Sequence, residues 1–341
     1  MKRILIVGAG LSGAVLAREL ANTGRFMIHL IDKRDHVAGN AYDFKNHLGI
    51  IEHKYGPHLF HTKNEKVFKY LSEFTDWVEY RHKVKALLKD GTYVTLPVNL
   101  DTVEKVGEEN IVDTFYRPYS EKMWGIPLEE ISKDILNRVP VRNDRNEFYF
   151  PDDKFQFLPK DGYTEMVKNI LNHKNIKLEL NKEFESKMIN ENFHSFLSLP
   201  IDEFYEFRYG KLPYRSIKFK TVNLPLPKVL PETTVNFTNR EPFTRVTEWN
   251  HLPNNFEYNR NYTTICYEEP CSYEENNNQR FYPVKDAKGE FNKLYLKYKK
   301  LAEKDETITF IGRLGLYKYL DMDQCINSAL ILSKNFKKLH N

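Results

Sequence analysis

The sequence of 341 residues has few cysteines and lacks long apolar runs. Its three cysteines, Cys266, Cys271 and Cys325, form neither a CxxC pair nor a zinc-ligand spacing, so we expect reduced thiols and no bound metal. No window has the about eighteen apolar residues of a membrane span, so we expect no transmembrane helix. The opening MKRILIVGAG leads directly from a short apolar run into glycines, which is typical of a first strand and not of a signal peptide. These absences favour a cytoplasmic location.

An excess of one charge sign is also missing. The chain has 51 Lys and Arg against 47 Asp and Glu, a net charge of +4 with the two signs interleaved. A nucleic-acid-binding protein normally shows a basic stripe, so we expect no nucleic-acid partner. Aromatic residues, in contrast, make up 14% of the chain, and tyrosines can bind sugars or phosphates through a hydroxyl on a stackable ring. The composition suits an enzyme with an anionic small-molecule ligand.

The first residues have the pattern of a dinucleotide-binding βαβ unit. Gly8, Gly10 and Gly13 form GxGxxG between the apolar run RILIV and the helical run SGAVLAREL, and Asp32 ends the next apolar run. The glycines allow a tight turn and a close approach of the pyrophosphate, which sits at the helix N-terminus. An acid at this distance accepts hydrogen bonds from the ribose hydroxyls.

Two features favour FAD over NAD as the dinucleotide. Basic residues and a glycine follow Asp32, as in large flavoproteins, although Ala38 stands where those proteins carry the first glycine of a pair. At the other end, TITFIGRL followed by DMDQCINSAL predicts a strand and a long helix capped by Asp321 or Asp323. The N-terminus of that helix would lie at the flavin ring, although an ordinary closing βα unit gives the same pattern. The chain has no second GxGxxG for a nicotinamide cofactor.

The rest of the chain divides by pattern. Asp90-Gly91 predicts a hairpin, residues 100–138 are helical in pattern, and strand-like aromatic runs such as EFYFP and YRSIKFKTVNL follow. We expect an α/β protein: a Rossmann-type FAD-binding domain with an inserted small helical domain and an antiparallel β-sheet domain. The expected boundaries are 1–78, 166–208 and 300–341 for the FAD-binding domain, 98–138 for the helical domain, and 79–97, 139–165 and 209–299 for the sheet domain that binds substrate.

Arginines and tyrosines occur together at several separate loop or strand ends. A guanidinium binds two phosphate oxygens in a fork and a phenol adds a directed hydrogen bond, so such residues suit a diphosphate clamp. Taken singly, each arginine is better explained as a surface charge and each tyrosine as a core ring. The residues concerned are Tyr119, Trp124, Arg138, Arg142, Tyr149, Arg245, Tyr282, Arg313, Tyr317 and Tyr319.

Seven ordered motifs give the chain a resemblance to a known family. They are the N-terminal GAGLSGAVLARELA with IDKR and GNAYD, then HKYGPHLFHT, YSEKMWG, NRVPVR, VNFT with PFTR, FYPV, and GRLGLYKYLDMDQ. Together they resemble the bacterial UDP-galactopyranose mutase family over nearly the whole chain. Two departures are His82, where the family has an asparagine, and a shortened helical segment between Leu100 and Trp124.

The resemblance implies site residues of three kinds. The catalytic residues it implies are Arg138, Arg245, His58 and His61. With the glycine motif, it places the cofactor against Gly8, Gly10, Ser12, Gly13, Asp32, Lys33, Asn40, His58, Leu59, Arg313, Asp321 and Met322. It places the substrate against His82, Tyr119, Trp124, Arg138, Tyr149, Asn236, Arg245, Tyr282 and Tyr319.

The resemblance also implies an activity: an isomerase that interconverts the pyranose and furanose forms of a nucleotide-diphospho-sugar, first of all UDP-galactose. N5 of reduced FAD would attack the anomeric carbon, without net redox change, in a pathway to cell-surface polysaccharide. A homodimer is compatible with it. The alternatives are the same chemistry on UDP-N-acetylgalactosamine, a dTDP-6-deoxyhexose or UDP-arabinose, an amine-oxidase-like flavin oxidase, and an inactive nucleotide-sugar binder.

Overall fold

The computed structural model describes residues 1–133, 141–255 and 260–340. Its strands are β1 (Lys2–Val7), β2 (Phe26–Ile31), β3 (Asp43–Lys45), β4 (Ile51–His53), β5 (Phe60–Thr62), β6 (Trp77–Glu79), β7 (Val84–Leu87), β8 (Tyr93–Leu96), β9 (Phe155–Pro159), β10 (Ile176–Glu179), β11 (His194–Leu197), β12 (Tyr214–Leu224), β13 (Thr234–Phe237), β14 (Arg245–Glu248), β15 (Thr263–Ser272), β16 (Tyr282–Pro283) and β17 (Ile308–Phe310).

The α-helices alternate along the chain with the strands and with short 3₁₀ turns. They are α1 (Leu11–Ala21), α2 (Glu65–Leu71), α3 (Leu100–Val106), α4 (Arg117–Trp124), α5 (Tyr163–Leu171), α6 (Lys187–Asn190), α7 (Ile201–Phe204), α8 (Glu290–Ala302), α9 (Gly312–Gly315) and α10 (Met322–Leu339). A π-helical turn, Val112–Tyr116, leads directly into α4. In the described ranges, no helix is both long and apolar enough to cross a bilayer.

Five parallel strands form the dinucleotide-type sheet, in the order β10-β2-β1-β11-β17. Its centre is fully apolar: Ile4 and Ile6 of β1 and Leu16 of α1 have no exposed surface. Helix α1 connects β1 to its neighbour β2 and packs against α10, so the first and last segments of the chain share one core. This topology confirms the predicted Rossmann-type α/β fold.

Seven strands form the second sheet, in the order β16-β12-β15-β14-β13-β7-β8. The prediction of an antiparallel sheet is wrong at one position, since β13 runs parallel to β7, with Asn236 opposite Ala86. The parallel pair arises because β7 and β13 come from distant parts of the chain, so no tight turn fixes their relative direction. The hairpin predicted at Asp90-Gly91 is confirmed between β7 and β8.

The segment EFYFP, expected to be a strand, is mostly turn. Only Phe148 forms a bridge, opposite Lys83. Side chains satisfy this backbone in place of a neighbouring strand: the guanidinium of Arg142 donates to the carbonyl oxygens of Phe148 and Asn146, and Asn146 Oδ1 accepts the N–H of Phe148 at 2.9 Å. Backbone groups that have such side-chain partners do not need hydrogen bonds to a neighbouring β-strand.

The helical segment formed by α3, the π-helical turn and α4 covers one end of the second sheet. Ile111 and Phe115 pack on Val84, Ala86 and neighbouring residues of β7 and β8. The start of α10 approaches the same region, where Thr62 of β5 donates to the carboxylate of Asp323 at 2.8 Å. These elements surround a cleft. The boundaries of the three domains remain a prediction.

Candidate active site

The glycine turn after β1 is held by backbone contacts. The carboxylate of Asp32 accepts the N–H of Ala9 at 2.8 Å and that of Arg34 at 2.9 Å, which ties the ends of β1 and β2 together. A Cβ at Gly13 would lie 2.0 Å from the carbonyl oxygen of Gly8, so only glycine fits there. The first strand and first helix therefore pack as closely as the GxGxxG motif predicts.

A second close approach lies beside this turn. Ala38 and Gly39 both adopt left-handed backbone, with φ of 70° and 58°, which explains why flavoproteins prefer glycines here. A Cβ at Gly39 would lie 2.9 Å from Gly10 Cα. Asn40 Oδ1 accepts a hydrogen bond from each terminal nitrogen of the Arg34 guanidinium at 3.0 Å, whereas the neighbouring Lys33 is exposed.

The turn has the properties that a dinucleotide pyrophosphate requires. Helix α1 begins after Gly10, and none of the described side chains caps its first N–H groups. Uncapped N–H groups at a helix N-terminus are an anion site. The turn also contacts the C-terminal part of the chain, because Ser12 Oγ donates to the carbonyl of Cys325 in α10 at 3.4 Å. In the same C-terminal part, Gly312 packs closely on Ser198, since a Cβ at Gly312 would lie 2.7 Å from Ser198 Oγ. The residues present thus fit a dinucleotide.

A cleft of about 580 Å³ lies between the second sheet, the helical segment and the start of α10. One wall of the cleft changes from charged to apolar along the sheet. Arg245 on β14 is followed by Asn236 on β13 and then by the apolar Ala86 and Val84 on β7. The cleft brings together these predicted site residues: His58, Leu59, His61, His82, Tyr119, Trp124, Tyr149, Asn236, Arg245, Tyr282, Arg313, Tyr319, Asp321 and Met322. Arg138 lies outside the described residues.

Arg245 is the charged centre of one wall. Its Nε lies 2.8 Å from Oε1 of Glu268, a carboxylate that is 1% exposed on the neighbouring strand β15. Burial disfavours the charge of Arg245, but Glu268, together with Tyr119 and Tyr282, outweighs this effect and raises the pKa of Arg245 well above its usual range. The site therefore carries a fixed cation, and the contact with Glu268 sets its orientation.

A second cation and two stacked tyrosine rings also line the cleft. Arg313 Nε donates to the carbonyl of Leu320 at 2.7 Å, and its guanidinium lies 5.5 Å and 5.3 Å from the ring centroids of Tyr282 and Tyr319. The two tyrosine rings stack at 5.3 Å, with Trp124 at their edges. Burial raises the pKa of Tyr282, so its hydroxyl remains a hydrogen-bond donor.

Two histidines order the loop that leads into β5. The backbone N–H of His58 donates to His53 Nδ1 at 3.0 Å, and His58 Nδ1 donates to the carbonyl of Gly56 at 2.8 Å. Burial lowers the pKa of both histidines to about 3, so both are neutral. With Nδ1 protonated, His58 keeps Nε2 as an acceptor.

The other two predicted histidines have separate supports. His61 Nδ1 lies 2.6 Å from Asp153 Oδ2, and its ring stacks on Phe150 at 3.5 Å. His82 Nδ1 lies 3.0 Å from the Tyr80 hydroxyl, and burial lowers its pKa to about 3. Both rings are thus fixed at the cleft wall.

Comparisons with known proteins agree with this arrangement. The protein-family model described as UDP-galactopyranose mutase matches residues 114–319. A second model, described as an NAD(P)-binding Rossmann-like domain, matches residues 6–74. A probable UDP-galactopyranose mutase of Klebsiella pneumoniae is 35% identical, over 98% of this chain and 94% of the relative. The chain belongs to the UDP-galactopyranose mutase family.

Another relative in these comparisons has a different named substrate. A dTDP-fucopyranose mutase of Escherichia coli is 33% identical, over 97% of each chain. Among solved structures, a reduced UDP-galactopyranose mutase matches with a TM-score of 0.76 and 16% identity, covering 99% of this chain and 94% of that one. This likeness supports the fold. Membership of this isomerase family, with the dinucleotide-binding fold, implies a flavin as the cofactor.

The structure adds cleft residues that the mutase motifs did not single out. On the helical segment these are Phe115, Tyr116, Ser120 and Met123. They recur with Tyr119 and Trp124 at intervals of four residues, the spacing of one helix face, so this periodicity could have identified them. Glu268 gave no sequence signal, and His53, although it opens the motif HKYGPHLFHT, was not predicted as a site residue, because the roles of both depend on contacts across strands and loops. In the described ranges there is no group of three His, Cys, Asp or Glu that could hold a metal ion.

Proposed function

We propose that this protein interconverts the pyranose and furanose forms of a nucleoside-diphospho-sugar, with the UDP-galactose pair as the first candidate substrate. The observation that carries the proposal is the cleft itself. Two half-buried arginines and two stacked tyrosines face one cavity, which ends at the start of α10 in a dinucleotide-binding fold. The relatives' names, UDP-galactopyranose mutase and dTDP-fucopyranose mutase, support the same reaction class.

The cofactor in this proposal is FAD in its reduced form. The turn residues Gly8, Gly10, Ser12, Gly13 and Asp32 would hold its pyrophosphate and ribose, with Lys33 and Asn40 beside them. The residues that would face its ring are His58, Leu59, Arg313, Asp321 and Met322. When bound, reduced FAD supplies a nucleophilic nitrogen, N5, to the anomeric carbon.

Arg245 carries the main electrostatic role in the proposal. Negative charge develops on the diphosphate as its bond to the anomeric carbon breaks, and a fixed cation stabilises that charge without reorganisation. The Glu268 contact holds the guanidinium in place before substrate arrives. Tyr282 and Tyr319 would donate hydrogen bonds to the same phosphates. Arg138 would add a further cation.

The apolar end of the cleft suits the nucleoside. Val84, Ala86 and Leu96 line the sheet side, and Phe115 and Tyr119 line the helical side. Flat aromatic and aliphatic surfaces stack on a base or cover a sugar face. Trp124, Tyr149 and Asn236 lie between this end and the arginines and would contact the sugar or the base.

His58 and His82 act in this proposal as neutral groups. His58 offers Nε2 as an acceptor close to where the flavin ring would lie, and it cannot be the cationic acid at neutral pH because its pKa is about 3. His61 would be oriented by Asp153. His82, on the substrate side, would contact the sugar or base.

Another nucleotide sugar is the second candidate. The relative named for dTDP-fucopyranose is nearly as similar as that named for UDP-galactopyranose, and His82, which departs from the family pattern, faces the cleft. The oxidase alternative is less well supported, because an amine substrate would not need two arginines in its site. We further propose a cytoplasmic location and a homodimer, the latter testable by sedimentation equilibrium.

The test is a chromatographic assay of dithionite-reduced protein against UDP- and dTDP-linked furanose and pyranose sugars. Conversion of UDP-galactofuranose to the pyranose form supports the first candidate. Conversion of only another sugar keeps the chemistry and changes the substrate. No conversion of any sugar by flavin-loaded protein would overturn the proposal.

A further inference from the structure

Lys122 lies on α4 among residues that line the cleft, but its side chain points elsewhere. Its Nζ donates to three backbone carbonyls, those of Phe243 at 2.8 Å, Asn239 at 3.1 Å and Phe237 at 3.3 Å. All three belong to the end of β13 and the loop joining it to β14. An ammonium group has three N–H donors, so this set of carbonyls satisfies it fully.

The loop that Lys122 holds separates two parts of the candidate site. Asn236 and Phe237, at its start, and Thr238 line the cleft, and Arg245 directly follows its end. Arg245 has its own support, since β14 is paired on both sides and Glu268 contacts its guanidinium. The start of the loop is also strand-paired, since Asn236 lies between Arg245 and Ala86 in the sheet and Thr238 Oγ1 donates to the carbonyl of Leu87 at 2.8 Å. The Lys122 contacts therefore fix the position of α4 relative to this loop.

Lys122 carries a charge that packing alone at this position would not require. Burial lowers the pKa of Lys122 to about 8, and the negative charge of Glu241 in the same loop offsets part of this shift. A partly buried charge carries a desolvation cost that a methionine of similar length would avoid. The three carbonyl contacts compensate for that cost.

We infer that Lys122 is a positioning residue that fastens the β13–β14 loop to helix α4 and thereby holds Tyr119 and Asn236 at a fixed separation for the nucleotide. This inference rests on the proposed function, because it concerns how the proposed nucleotide site keeps its shape. Losing the link should loosen nucleotide binding much more than it slows the chemical step, because Arg245 keeps its own supports.

Calorimetric titration of flavin-loaded protein with UDP tests this inference. We expect Lys122→Met to weaken UDP binding at least about tenfold, since three part-buried carbonyl oxygens lose their donor. Its kcat on the converted sugar should fall by less than about threefold, and flavin absorbance should not change. Lys122→Arg, which keeps a cation with several donors, should recover most of the affinity. Lys122→Gln replaces Lys122→Met, with the same expectation, if that variant does not fold.

The control is Lys85→Met on β7. Lys85 Nζ contacts Glu147 and Thr95, each at 2.9 to 3.0 Å, on the strand face opposite to Val84 and Ala86. Its UDP affinity should equal that of the unmodified protein. UDP binding by Lys122→Met as tight as in the unmodified protein would overturn the inference alone, as would Lys122→Arg binding no better than Lys122→Met. Failure of the unmodified protein to bind UDP would overturn the proposed function as well.

Discussion

The glycine turn and the cleft are built in different ways. The turn is formed mainly by backbone atoms from one short stretch of the chain. Its closest contacts are between main-chain groups, such as Gly13 and the carbonyl of Gly8. The cleft consists of side chains from distant elements, including Tyr119 on α4, Arg245 on β14 and Arg313 on α9. A close approach between backbone atoms, such as that of Gly13 to Gly8, tolerates no added atom, whereas a site made of side chains should lose function in steps.

The largest effect should come from the turn. Gly13→Ala places a Cβ 2.0 Å from the carbonyl oxygen of Gly8, so we expect little soluble protein and no bound flavin. Gly10→Ala is the matched control, because Gly10 has φ of −77° and its Cβ would lie 3.6 Å from the nearest atom, Gly39 Cα. It should fold and lose only flavin affinity. Expression yield, flavin absorbance and melting temperature distinguish the two, and equal behaviour would contradict this account of the turn.

The cleft should lose activity without losing flavin. Arg245→Ala removes the fixed cation, and we expect kcat/KM to fall by about 10²–10³ while the flavin spectrum stays intact, as for loss of one preorganised electrostatic group. Arg245→Lys should recover only part, because lysine lacks the two-pronged geometry. Full activity of Arg245→Ala in the isomerisation assay would remove Arg245 from the site.

A smaller effect is expected from changing Glu268, the residue that contacts Arg245. Glu268→Gln keeps the shape of the side chain but removes the charge that orients Arg245, so we expect kcat/KM to fall by about tenfold, in line with the loss of one hydrogen bond between charged groups. Glu147→Gln is the control, because Glu147 pairs with Lys83 and Lys85 in a half-exposed ion pair and such pairs contribute little. Equal losses in the two variants would show that Glu268 has no special role.

The sequence predicted the turn better than the cleft, and the reason is physical. The GxGxxG spacing and Asp32 specify local geometry, so the turn could be derived from residue types alone. Convergence of Arg245 with Tyr282 and Tyr319 depends on strand pairing over long distances, and only the family resemblance supplied it. Glu268 and His53 act through tertiary contacts, and the parallel pairing of β7 with β13 has no local signal.

The last effect concerns stability and is confined to acid pH. Burial lowers the pKa of His53, His58 and His82 to about 3, below the unfolded value of 6.5, so the unfolded chain takes up protons that the folded chain refuses. The stability they contribute is complete above pH 6.5 and is lost as pH falls from 6.5 towards 3. Each histidine adds about 1.4 kcal/mol per pH unit to the free energy of unfolding in that window.

Removing one of these histidines should flatten that dependence. His82→Asn should lower the pH slope of the free energy of unfolding by about 1.4 kcal/mol per unit between pH 6 and 4, measured by urea denaturation. His47→Asn is the control, since His47 is exposed. If His82→Asn and His47→Asn change the slope equally, His82 is not buried as described.

The most direct test of the central claim is one preparation assayed in both flavin states. UDP-galactofuranose, or the sugar converted in the panel, is incubated with the protein as purified in air, after dithionite reduction, and after reoxidation, and the ring forms are separated by chromatography. The account predicts isomerisation only after reduction, its loss on reoxidation, and no net consumption of reductant. Equal rates in the oxidised and reduced states would contradict it.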